Sequence, residues 1–103
     1  MTILESLKER ILILDGATGT MIQSKNLDES AFRGALLASH TVDLKGNNDV
    51  LNLTAPHVVR SIHQEYIDAG ADIIKTNTFS SNAISQEDYL LAEYVEQMNL
   101  AGA

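Results

Sequence analysis

The chain has 103 residues, 45% of them hydrophobic, with 14 Asp plus Glu against 7 Lys plus Arg and a net charge of −7. That length holds one foldable unit at most, and the scattered basic residues lack the electrostatic footprint of a nucleic-acid binder. With no cysteine, a disulfide framework and any Cys-ligated zinc or iron–sulfur site built from these residues are excluded.

Glu5, Lys8, Glu9 and Arg10 interrupt the opening ten residues, which a secretory signal does not tolerate. The longest bulky apolar run, Ile11 to Leu14, falls far short of the roughly 20 residues that cross a bilayer. A cytoplasmic protein with no membrane and no nucleic-acid partner is expected. No repeat, low-complexity tract or linker divides the chain, so residues 1–103 are expected to belong to one domain.

Thr2-Ile3-Leu4-Glu5 has the spacing of a capping box, so a short helix is expected to about Arg10. Ile11-Leu12-Ile13-Leu14 is apolar on both parities, the pattern of a parallel strand buried on both faces, and it stops at Asp15-Gly16. From Gly16 to Thr54 periodicity is weak. Met21, Ile22 and Leu27 suit one short helix, and Asp28 or Ser30 could cap another through Phe32, while Lys45-Gly46-Asn47-Asn48-Asp49 is dense in turn-forming residues.

Pro56 suits a helix start, and Val58, Val59, Ile62, Tyr66 and Ile67 then share one helical face, which Gly70 ends. Ala71 to Asn77 reads as a second strand, reached by the helix that a right-handed crossover requires. Ser85 and Asp88 give another capping-box spacing, with Leu90, Leu91, Tyr94, Val95 and Met98 as the stripe of a last helix. Helix, strand, loop, helix, strand, helix implies an α/β fold with a parallel sheet. Two parallel strands are too few to close a core, so either further units of a larger domain or copies of the chain must complete the sheet.

Asp15-Gly16-Ala17-Thr18-Gly19-Thr20 follows the first strand, at the carboxyl end of the sheet where α/β proteins bind ligands. Backbone N–H groups there could converge on one anion while the Asp15 carboxylate accepts from a cation, a pairing that suits a zwitterion. The plainer alternative is a tight turn capped by Asp15. Thr76 and Asn77 end the second strand on the same rim, where Asn77 could orient a small polar ligand or merely tie down the following loop. His57 and His63 are six apart and do not align as i, i+4 metal ligands, and His40 lies in the irregular region; surface or capping roles fit all three better than metal or acid–base roles. Asn47-Asn48-Asp49 lacks the spacing of a calcium loop.

Three segments carry a resemblance. ILDGATGTMIQ, DLKGNNDVLNLTAPHVV and IHQEYIDAGADIIKTNTF closely resemble the amino-terminal homocysteine-binding region of the cobalamin-dependent methionine synthases, over about Ile11 to Met98. The resemblance implies a (β/α)₈ TIM-type barrel of roughly 250 residues, of which this chain would supply about two strand–helix units, a partial homocysteine-binding domain. It implies a methyltransferase that moves a methyl group from methylcobalamin, ultimately from methyltetrahydrofolate, to the homocysteine thiol to give methionine. Relatives use betaine or S-methylmethionine, but DLKGNNDVLNLT is more similar to the cobalamin-dependent branch.

The family's Asp-Gly motif falls on Asp15 and Gly16, and the resemblance assigns Asp15 to the substrate ammonium and the N–H groups of Gly16, Ala17 and Thr18 to its carboxylate. Thr76 and Asn77 match the family's Thr-Asn and line the same pocket. Ala17 stands where a second glycine is common. The family's zinc is held by three cysteines on later strands, and folate and cobalamin bind to downstream domains. The isolated chain is therefore expected to bind no zinc or cobalamin and to be inactive. Two other readings compete: a phosphate-handling α/β enzyme, weakened because no Lys or Arg follows the Asp15 loop before Lys25, and a non-catalytic piece that self-associates.

Overall fold

The computed structural model describes residues 1–103. Thr2 opens helix α1 (Ile3–Glu9) through the expected capping box: its N–H donates to Glu5 Oε2 at 2.8 Å and Glu5 N–H donates to Thr2 Oγ1 at 3.2 Å. No residue of α1 is buried, so the caps rather than a core contact satisfy its first turn.

The segments 11–15 and 71–75 then run side by side, and Leu14 pairs with Ile73 as a parallel bridge. The Asp72 and Ile73 N–H groups donate to the Ile13 carbonyl at 2.8 and 3.1 Å, and Asp15 N–H donates to the Ile73 carbonyl at 2.9 Å. The expected direction and adjacency hold, but the two expected buried strands do not: one isolated bridge replaces them, and every other regular element is helical. The expectation of an α/β sheet is corrected to that extent. Parallel pairing is weak per residue and depends on further strands and on helices over both faces. Here each segment has one neighbour, and Ile11, Ile13 and Leu14 are 86%, 57% and 52% exposed.

Short helices α2 (Gly19–Ser24) and α3 (Glu29–Arg33) follow. Asp28 caps α3 by accepting from Ala31 N–H at 2.8 Å, one of the two caps foreseen. A 3-10 turn at Asn48–Val50 leads into α4 (Leu51–Thr54), and Pro56 begins α5 (Pro56–Asp68), the longest helix. Gly70 follows it at φ +110°, a conformation that favours glycine.

The last helix is not continuous. Asn82, not Ser85, is the cap: its Oδ1 accepts from Ser85 N–H at 2.9 Å and starts α6 (Ala83–Glu87). Leu90 at φ +55° then reverses the chain, with its N–H on the Glu87 carbonyl and the Leu91 N–H on the Gln86 carbonyl, both at 3.0 Å. This is a Schellman stop carrying leucine where glycine is usual. After a 3-10 turn at Ala92–Tyr94, α7 runs Val95–Gly102. The break lets Leu91 and Met98 both enter the core, where each is fully shielded.

Ile22, Phe32, Leu37, Leu44, Val50 and Leu51 supply half of the twelve-residue core, from the stretch that reads as mostly loop; Val58, Val59 and Ile62 of α5 complete its centre. The body is elongated, 51 × 26 × 18 Å with a radius of gyration of 15.3 Å, against about 13 Å for a compact chain of this length. No helix is long and apolar enough to cross a membrane.

Candidate functional site

The paired segments are clamped at both ends by charge. At the entry end the Arg10 guanidinium forks onto Asp72, Nη2 to Oδ1 at 2.7 Å and Nη1 to Oδ2 at 2.9 Å, while Ile13 N–H also donates to Asp72 Oδ2 at 2.9 Å. These bonds hold the Asp72 carboxyl at about 2, well below its ordinary value, chiefly through the Arg10 side chain.

At the exit end Asp15 is buried, its side chain 1% exposed. Its Oδ2 accepts from the Lys75 N–H at 3.0 Å, and its Oδ1 is paired with the Lys75 ammonium. That ammonium also lies 3.3 Å from the Asp15 carbonyl and 3.4 Å from the Gly16 carbonyl. Burial pushes the Asp15 carboxyl up, but the two Lys75 donors, the lysine's charge and a smaller pull from His63 outweigh it, so the group stays ionised below its usual range.

Beyond this pair the two segments open into a cleft of about 620 Å³ lined by residues 16–20 and 75–79. Gly16, Ala17, Thr18, Thr76 and Asn77 are thus brought together, with Asp15 beneath them. The N–H groups of Gly16, Ala17 and Thr18 donate to nothing in the chain. Neither Gly16 nor Ala17 has a positive φ, so the loop needs no left-handed residue, and the alanine in place of a second glycine carries no backbone cost. What Gly16 provides is space: a Cβ there would lie 3.0 Å from Tyr66 Oη, whose hydroxyl donates to the Ala17 carbonyl at 2.6 Å.

Asn77 does structural work as well as lining the cleft. Its Nδ2 donates to the Asn48 carbonyl at 2.9 Å and to Asn52 Oδ1 at 3.1 Å, while Asn52 Nδ2 donates to the Asn77 and Met98 carbonyls at 2.8 and 3.1 Å. Its Oδ1 accepts no bond from the chain. Thr76 and Thr78 join their hydroxyls at 2.7 Å.

The 45–49 segment makes the expected turn at Lys45–Gly46, with Gly46 at φ +97°, and its Asn47 and Asp49 side chains are buried as a frame for the rim. Asn47 and Gln86 exchange two amide hydrogen bonds at 2.8 and 3.2 Å, and Asp49 accepts from the Ser80 N–H and the Ser81 hydroxyl. No buried side-chain polar atom is left without a partner. On α3, Glu29 similarly ties down the chain by accepting from Arg33 Nε and from the Leu44 and Lys45 N–H groups. Burial opposes its ionisation, but those donors lower its carboxyl below the usual range.

Sequence reasoning missed Lys75, Tyr66 and the Asn47–Gln86 pair. Lys75 is 60 residues from Asp15, and only the strand register could have placed it. The residues present do not fit the zinc that the resemblance implies: the chain has no cysteine, and no three His, Cys, Asp or Glu side chains converge. His40 is occupied structurally, its Nε2 2.7 Å from the Tyr89 carbonyl.

A model of the homocysteine S-methyltransferase family matches residues 12–103. The chain belongs to that family. The match begins at the first paired segment and includes every residue of the cleft, so the shared chemistry at family level is methyl transfer to homocysteine.

Proposed function

We propose that this chain is part of the homocysteine-binding domain of a cobalamin-dependent methionine synthase, with the cleft at the ends of the paired segments receiving the amino-acid end of homocysteine. One observation supports this above the others: three unclaimed backbone donors, from Gly16, Ala17 and Thr18, lie over an ion pair at the mouth of a cleft, an arrangement suited to a carboxylate. Thr76 and Asn77 supply hydroxyl and carbonyl acceptors opposite. Asp15 is part of this site, although an ammonium reaches its carboxylate only if Lys75 leaves it.

The zinc that would lower the thiol pKa, and the cobalamin and folate that would carry the methyl group, are in this reading held by residues other than 1–103. The bare faces of Ile11, Ile13, Leu14 and Ile74 are where further strand–helix units of a TIM-type barrel would pack; without them a second copy of the chain is the expected cover.

Titration calorimetry tests the reading. L-homocysteine should give a saturable one-to-one heat, whereas a response to ATP and none to homocysteine would favour the phosphate-handling alternative and overturn it. A tight stoichiometric zinc site on this chain would contradict the assignment of the metal elsewhere.

A further inference from the structure

We propose that Lys75 is the receptor for the α-carboxylate of the amino-acid substrate, with Asp15 as the positioning residue that holds its ammonium at the cleft. The inference rests on the homocysteine reading above and deepens it.

Asp15 cannot serve as an open anionic contact: both its oxygens are taken by Lys75, and its side chain is almost wholly shielded. Lys75, in contrast, is half-exposed, at 51%, and lines the cleft. No Asp or Glu lines that cleft. Asp15 neutralises the Lys75 charge from beneath, but the polar groups that the cleft wall presents there are the half-exposed ammonium and the three free N–H groups of Gly16 to Thr18, all donors, which suits an acceptor-rich anion. A carboxylate offers two oxygens with about four acceptor sites, enough to meet the ammonium and the loop donors together.

The lysine is also prepared for the task. A free lysine loses much rotamer freedom when it binds an anion, but the Asp15 bond has already fixed this one. Its contacts to the Asp15 and Gly16 carbonyls, at 3.3 and 3.4 Å, are long enough to be exchanged for a substrate oxygen without breaking the ion pair. The Thr76 and Thr78 hydroxyls and Asn77 Oδ1, in the same cleft, are the acceptors left for the substrate ammonium.

The test compares L-homocysteine with 3-aminopropanethiol, which keeps the amine and thiol and lacks the carboxylate, and with inorganic phosphate. Each is titrated into the wild-type chain and into Lys75→Met, Lys75→Arg and the Asp15→Asn/Lys75→Met double variant. Lys75→Met should raise the Kd for homocysteine about ten-fold or more without weakening 3-aminopropanethiol, whose amine can then reach the bared Asp15, with Lys75→Arg recovering most of the loss. Lys75→Met strands a buried carboxylate and could fail to fold. The double variant removes that charge and should show the same selective loss.

Homocysteine binding to the double variant as tightly as to the wild type would overturn the role of Lys75 alone. So would a wild type that prefers phosphate or the decarboxylated ligand. A wild type that binds neither aminothiol would bring down the homocysteine reading and this assignment with it.

Discussion

In the helical body Leu44, Val50, Leu51, Ile62, Leu91 and Met98 are completely shielded, whereas the paired segments leave Ile11, Ile13 and Leu14 more than half exposed. The body is held by apolar contact; the pair is held by one parallel bridge and two charge clamps, Arg10–Asp72 and Lys75–Asp15. The candidate site sits on the second region. A cleft whose geometry depends on ion pairs is sensitive to pH, to salt and to single charge changes in a way that the core beneath it is not.

Substitution separates the two regions. Ile62→Ala, at the centre of the body, should cost about 2–5 kcal/mol in denaturant unfolding, because it opens a cavity among fully packed neighbours. Asn52→Ala should cost about 1–3 kcal/mol, since it removes partners from the buried Asn77 amide and from the Met98 carbonyl. It should also disturb the amide resonances of residues 76–78, showing that the body positions the rim.

Acid acts first on the clamps. Asp15, Glu29 and Asp72 all have folded-state pKa values below those of free carboxylates. The unfolded chain therefore takes up protons before the folded one, and the stabilisation is complete above about pH 5 and lost as pH falls through the lowered folded-state values, about 2 for Asp72. Arg10→Met should lower stability at neutral pH and flatten that acid decline, read as unfolding midpoint against pH. An unchanged pH profile would show that the entry clamp does not hold the pair.

Gly16→Ala should destabilise by about 1 kcal/mol by pushing Tyr66 off the Ala17 carbonyl. Tyr66→Phe should shrink that penalty in a double-mutant cycle. Smallest of all, Ile13→Ala should stay within about 0.5 kcal/mol, as for an exposed position. A loss as large as that of Ile62→Ala would mean that the open face is covered in solution. Sedimentation at several concentrations would then identify a second copy as the cover.

Local signals were legible where a residue acts on its own neighbours. Thr2–Glu5, Asp28, Pro56 and Gly70 all mark helix ends as their chemistry dictates. The parallel adjacency of Leu14 and Ile73 was legible too, because apolar runs separated by a helix have few other arrangements. What failed depends on distant partners. The apolar pattern of Ile11–Leu14 describes a fully buried strand, yet burial requires neighbours that these 103 residues do not provide. Asn47 and Asp49 lie in the turn region that their chemistry predicts, but their buried bonds to Gln86 and Ser81 show only once those distant residues are placed against them. Lys75 looks like a solvated charge until the register sets it on Asp15.

In the proposed reading the ends of the two segments form one binding site. Amide chemical-shift mapping during an L-homocysteine titration tests it most directly. The resonances of Gly16, Ala17 and Thr18 and those of Thr76 and Asn77 should move together along a single saturation curve. Shifts confined to one segment, or none at either, would contradict it.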